Sequence, residues 1–239
     1  MTRRTAFTLL AAAAVPAAAA PALPSCRQLL RVETPAWPAT TGTLTLWTRD
    51  KAGDPWRQHG PAIAVMMGRN GLRWGRGFHS MPRGVTVKKE GDGCSPAGIF
   101  RLDTAFGSVP AAKSGTVLWP WRQMTATHAG VDDPKSRYYN RIVDAAAVKK
   151  DWTSAENMVP KSGVYRRGLI VQHNWDQRPG AGSCIFLHIR GRGPTAGCTA
   201  MREKALLRLL GWLDPAQHPL LVQLPVAEWP ARSAEWGLP

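Results

Sequence analysis

The sequence has no Cys-x-x-Cys pair, no internal repeat, and no basic block longer than short pairs such as Lys88-Lys89, Lys149-Lys150 and Arg166-Arg167. The first absence removes the usual zinc-finger and zinc-ribbon spacings. The second argues against a repeat array, and the third leaves no concentrated footprint for nucleic acid. Acidic residues are scarce, 16 against 31 lysines and arginines, for a formal charge of +15. Such an excess favours polyanionic surroundings: nucleic acid, anionic lipid or an acidic wall polymer. Because the basic residues are dispersed, the excess reads first as a generally cationic surface. Long apolar runs are also missing. The alanine-rich stretch up to Ala20 is broken by Pro16 and is too short for a convincing membrane span.

What is present begins with Met1-Thr2-Arg3-Arg4, a basic head followed by a short apolar middle and small residues. That order describes a secretory signal over residues 1–25 and predicts export to the periplasm or cell envelope. Thr2-Arg3-Arg4-Thr5 is a loose fit to a twin-arginine signal, leaving the general secretory route open. Leu23-Pro24-Ser25-Cys26 resembles a lipoprotein box, so lipid on Cys26, and with it a membrane attachment, is an alternative to ordinary cleavage.

The most informative stretch runs from Gly182 to Met201. From Cys184 to Arg190 the residues alternate, placing Ile185, Leu187 and Ile189 on one face and Cys184, Phe186, His188 and Arg190 on the other. Gly191, Gly193 and Pro194 then turn the chain. Cys198 follows, ahead of a helical run over 201–210, so a thiol at a helix N-terminus is expected, with backbone N–H groups favouring its thiolate. Export makes disulfides possible. Three cysteines, Cys94, Cys184 and Cys198, lie beyond the signal boundary. If Cys198 is a nucleophile, Cys94–Cys184 is the one pairing among them that spares it.

Elsewhere, strands are predicted at 42–47, 62–66, 99–102, 168–175 and 220–224, with Asn70-Gly71 a strong turn signal. Between Val109 and Arg167 no period is sustained, which suggests a flap or ordered excursion. Asp132, Asp133, Asp144, Asp151 and Glu156 gather there. They serve either as turn and cap formers or as a cleft wall that receives cationic parts of a ligand. The eleven tryptophans suit core and cleft lining, or a carbohydrate- or peptide-binding groove. The expected fold is mainly β, a sandwich or partly open barrel, with one helix after Cys198 and a long irregular excursion. A catalytic domain over 42–224 and a tail over 225–239 complete the expected organisation.

Four chemistries compete for this stretch. His188 and Cys198 form a base–nucleophile pair for acyl transfer, with the N–H groups of Cys198 and a neighbour binding the oxyanion. Alternatively, Cys184, His188, Cys198 and His173 hold zinc. The third option is a dinucleotide turn at Gly191-x-Gly193-x-x-x-Gly197, although no βαβ unit accompanies it. In the fourth, Cys198 and His188 are simply buried core residues.

Ile185-Phe186-Leu187-His188 followed by Thr195-Ala196-Gly197-Cys198 resembles the catalytic domain of the L,D-transpeptidases, in a divergent branch. The segments 68–72, 91–98 and Gln172-His173-Asn174 extend the likeness over roughly 42–224. The resemblance implies Cys198 as nucleophile and His188 as proton acceptor and donor. It also implies Gly197 and Thr195 supporting the oxyanion site, and His173, Asn174 and Arg190 as candidate substrate contacts. Peptidoglycan stem peptides would be the partners, with no metal, cofactor or nucleic acid, and a monomer is expected. The bond between stem residues three and four would be attacked, a D-alanine released, and the acyl group passed to an amine. Ala196 and Thr199-Ala200 stand where many members carry other residues around Gly-Cys, so donor and acceptor stay open. A hydrolase on the same scaffold and a non-catalytic wall-binding module are the alternatives.

Overall fold

A computed structural model describes residues 25–239, so all but the last residue of the signal-like segment lies outside the described residues. The strands are β1 (Gln28–Thr34), β2 (Thr41–Thr48), β3 (Arg57–Met66), β4 (Leu72–Trp74), β5 (Ser95–Gly107), β6 (Trp121–Gln123), β7 (His128–Val131), β8 (Arg141–Asp144), β9 (Ala155–Asn157), β10 (Gly168–Val171), β11 (Phe186–Ile189) and β12 (Thr199–Met201). Helix α1 (Glu203–Trp212), strand β13 (Leu220–Pro225) and helix α2 (Trp229–Trp236) finish the chain.

Eight strands close on themselves in the order β10-β11-β12-β3-β2-β1-β13-β5, with β5 pairing back to β10. Closure leaves no free sheet edge in the ring. The parallel pairs β1–β13 and β11–β12 sit among antiparallel neighbours. β4 and β6 add to β5 outside the ring, and β8-β7-β9 form a separate small sheet. The expected mainly-β architecture is therefore observed as a closed barrel.

The barrel fills by strand alternation. Leu44 and Leu46 of β2 are buried while Thr43 and Thr45 are not. β13, covered on both faces, is buried throughout, and its Gln223 spends its amide on Pro96 O at 3.0 Å and on the Thr199 hydroxyl. Leu206, Leu209 and Leu210 of α1, spaced three and four apart, seal one side of the core.

Two boundaries differ from expectation. β1 precedes residue 42 and is a full barrel stave; its weak alternation is hidden in a polar stretch next to the proline-rich lead. The tail over 225–239 is largely helical, and Trp229, Trp236 and Leu238 pack into the main core. Cys26 is buried in that same core, its thiol donating to Gln28 O at 3.2 Å. Five tryptophans are buried and Trp175 alone is frankly exposed, at 38 %. Core filling is thus their main use.

A close approach requires glycine at one position inside β5. Gly98 has φ +128°, and a Cβ built there would lie 2.0 Å from the His79 ring, whose Nδ1 accepts the Ile99 N–H at 3.1 Å. Gly98→Ala is expected to cost about 3 kcal/mol through strain and overpacking, read as a fall in urea midpoint with an unchanged m-value.

Candidate functional site

The alternation expected from Cys184 onward sorts residues between two clusters. Ile185 and Leu187 belong to the main core, with Ile189 packed against it. Cys184 and Phe186 join a second cluster with Phe106, Met124, Ile142, Met158, Tyr165 and Cys198. His188, on the same face, meets the Tyr165 ring edge-on at 5.2 Å. The strand itself starts at Phe186, because Cys184 has φ +53°, a region costly for a side-chain-bearing residue. Asn140 Oδ1 holds it there by accepting the Cys184 N–H at 2.9 Å.

β11 and β12 run parallel, with Leu187 opposite Thr199 and His188 opposite Ala200. Cys198, one residue ahead of β12, therefore lies beside Phe186 and on the His188 face. Its Sγ accepts the Phe186 N–H at 3.3 Å and donates to Cys184 O at 3.4 Å. Here the structure corrects the expected helix N-terminus: Thr199–Met201 are a strand, and α1 begins at Glu203. Backbone N–H stabilisation of the sulfur comes from the neighbouring strand.

The turn before Cys198 is held from several sides. Gly197 N–H donates to Thr195 Oγ1 at 3.1 Å, and the Thr195 hydroxyl donates to Cys198 O at 2.6 Å. The buried Ser95 hydroxyl donates to the same carbonyl at 3.0 Å and accepts the Gly68 N–H at 2.9 Å. Arg69 N–H donates to Thr195 O at 2.9 Å. The separate segments at 68–72, 91–98 and 195–198 thus meet around one backbone carbonyl. Thr195 braces the turn itself. The Gly197 N–H is spent on that support and does not face an oxyanion site in this state.

Both central groups are 6 % exposed. Burial brings the His188 pKa down to about 4, opposed by its bond to Ile189 O. Nδ1 lies 2.8 Å from that carbonyl, which fixes the N–H on Nδ1 and leaves Nε2 as the basic nitrogen. The Cys198 thiol is pushed well up by burial and then by the Glu156 charge, against the Phe186 N–H and Lys88. At neutral pH the pair rests as thiol and neutral imidazole.

Other candidates fall differently. His173 is buried, its Nδ1 accepting the Arg76 N–H at 3.2 Å and its Nε2 3.0 Å from Ala181 O. Burial lowers its pKa to about 3. Asn174 is fully buried and braces the same loop through Arg178 O and Gly182 O. Both are structural residues with no group left for a substrate, a correction to their expected role. They also cannot join a zinc site, and no group of His, Cys, Asp or Glu among the described residues is arranged to hold a metal. Arg190 is exposed just past β11. The Cys94–Cys184 disulfide is absent: both thiols are free, Cys94 donating to Asn70 O at 3.3 Å and Cys184 to Val131 O at 3.7 Å. Counting cysteines sets which pairs are allowed, but these two sit in different turns and point at different carbonyls.

Two neighbours of Cys198 escaped sequence reasoning. Lys88 is buried and paired with Asp92 at 2.8 Å, and its Nζ lies 3.4 Å from where a Gly197 Cβ would be. The only signal was its place four residues before Asp92 in a turn. Tyr165, which donates to Glu156, lay in a stretch without period. The excursion itself is ordered, its β8-β7-β9 sheet lying over the second cluster. Gly130 of β7 is so close that a Cβ there would meet Cys184 Sγ at 3.2 Å. Of its acidic residues, Asp133, Asp144 and Asp151 accept from turn backbone or nearby hydroxyls. Asp132 and Glu156 instead act electrostatically on Cys184.

A family model described as the L,D-transpeptidase catalytic domain matches residues 39–224. This span covers most of the barrel and the whole of the site, and the chain belongs to that family. No curated protein and no solved structure matches the chain.

Proposed function

We propose that the protein is an exported peptidoglycan L,D-transpeptidase in which Cys198 is the nucleophile and His188 the proton acceptor and donor. The observation that carries this reading is the β11–β12 register, which sets His188 and Cys198 on one face of adjoining strands within a chain of this family. Cys198 Sγ attacks the carbonyl between residues three and four of a stem peptide, and its proton passes to His188 Nε2. The C–N bond breaks, His188 returns that proton to the departing D-alanine amine, and a thioester remains. An acceptor amine then attacks the thioester. Its proton passes through His188 to the sulfur as the C–S bond breaks, restoring thiol and imidazole.

The neutral resting pair suits this cycle, because proton and charge separate only when the carbonyl arrives. Export rests on the basic head and apolar run at the N-terminus, and the cationic surface suits an acidic wall polymer. The deciding experiment incubates the purified protein with stem tetrapeptides and weighs the products. Cross-linked dimers support the proposal. Trimmed monomers alone would mean a hydrolase, and unchanged peptide with retained wall binding would mean a binding module.

A further inference from the structure

Glu156 stands where its strand calls for an apolar residue. In β9 the alternation places it on the face of Met158, which is fully buried in the cluster that contains Cys198. Tyr165 donates to Glu156 Oε2 while its ring meets Phe186 at 5.7 Å and His188 at 5.2 Å. One side chain thus connects the carboxylate to the imidazole's surroundings. A carboxylate in such a place normally has a cation beside it. None is supplied: among the described residues no lysine, arginine or histidine forms an ion pair with Glu156, Asp132 or Glu90, in a chain with 31 basic residues. Asp132, next to the β7–β9 pairing, has a buried Oδ1 with no hydrogen-bond partner. Glu90 is engaged by the Tyr139 and Ser183 hydroxyls. Lys88 acts on Cys198 and is committed to Asp92, and Lys150 and His128 line a surface pocket with Glu156 without forming an ion pair to it.

We propose that Glu156, held by Tyr165, governs the nucleophilicity of Cys198 and is the receiving group for a cationic part of the ligand, a primary ammonium. That Cys198 is the nucleophile rests on the function proposed above. Left ionised and unpaired, Glu156 opposes a thiolate beside it. An ammonium seated on Glu156 cancels that opposition and brings three N–H donors, one of them available to the unpartnered Asp132 Oδ1. The site would then arm its sulfur when a correctly charged ligand arrives. Burial first, then the Asp132 and Glu90 charges, raise Glu156 to about 7, against the Tyr165 bond. The groups around it are Tyr165, Cys184 and Cys198 from the barrel side, Asp132 and Glu90 from the loops, and His128 and Lys150 on the outer side of the small sheet.

The test is the rate of Cys198 alkylation by iodoacetamide as a function of pH, read by peptide mass so that the other three cysteines do not interfere. It needs no peptide substrate, so it stands or falls separately from the transpeptidase assay. Glu156→Gln keeps the shape and can still accept from Tyr165. Its profile is expected to move to lower pH by about one unit, a roughly tenfold faster reaction at pH 8. Butylammonium at constant ionic strength is expected to accelerate the wild type and leave E156Q unchanged. A merely structural Glu156 would move the unfolding temperature but not this profile. Superimposable profiles overturn the proposal, as does butylammonium acting on both proteins or on neither.

Discussion

Cys198→Ala is expected to abolish stem-peptide turnover, by at least about 10³-fold, while leaving the barrel folded. The sulfur makes two weak contacts, with the Phe186 N–H and Cys184 O. Losing them leaves one buried N–H less well satisfied, a cost of about 1–2 kcal/mol. The barrel's other supports around the residue are backbone: the Ser95 and Thr195 hydroxyls both hold Cys198 O, which alanine retains. Cys198→Ser refines the test. Its hydroxyl would occupy the same slot, yet a neutral serine paired with a buried imidazole of pKa about 4 has no base strong enough to make an alkoxide. Both variants should show wild-type near-ultraviolet circular dichroism and no thioester mass. A serine variant that turned over stem peptide at near wild-type rate would remove Cys198 from the chemistry.

The two clusters explain what the sequence made visible. Alternation is a local property, so the partition of Ile185, Leu187 and Ile189 from Phe186 and His188 could be read directly, and the structure upholds it. Turn chemistry was equally local: Thr195-Ala196-Gly197-Cys198 reads as a constrained turn because hydroxyl and glycine act over a few residues. Failures arose where position depends on distant partners. Whether His173 is a ligand or a brace depends on Arg76 and Ala181, and only the folded loop brings Arg76 to it. The helix expected at Cys198 starts later because β3 and β11 recruit Thr199–Met201 as a strand, a tertiary demand that outweighs helical propensity. Residues 109–167 lacked a period because their strands are three or four residues long, too short for alternation to register. Glu156 was visible as one of five acids, but its separation from the turn-forming aspartates required the β7–β9 register.

Acidification is expected to destabilise the protein well above the usual carboxylate range. Burial holds His79 and His188 at about 4 and His173 at about 3, whereas all three return to about 6.5 on unfolding. Below pH 6.5 the unfolded chain binds protons that the folded chain refuses, so stability falls until the folded pKa values are reached. Glu156 acts in the opposite sense. Its folded value of about 7 exceeds that of an unfolded glutamate, so it favours the folded state as pH drops from 7 towards 4.5. Three histidines against one glutamate leave a net uptake of just under two protons near pH 5.5, a slope of about 2.4 kcal/mol per pH unit. Below about 4.5 the folded His79 and His188 begin to take up protons themselves, so the fall contributed by these groups levels off. Urea titrations at pH 7.5, 6.5, 5.5 and 5.0 should show a plateau at the first two and a declining midpoint thereafter. E156Q, lacking the compensating group, should decline more steeply across the same interval. A flat free energy of unfolding from pH 7.5 to 5.0 would mean that these histidines are not buried and neutral, and with them would go the neutral resting state assigned to His188 and Cys198.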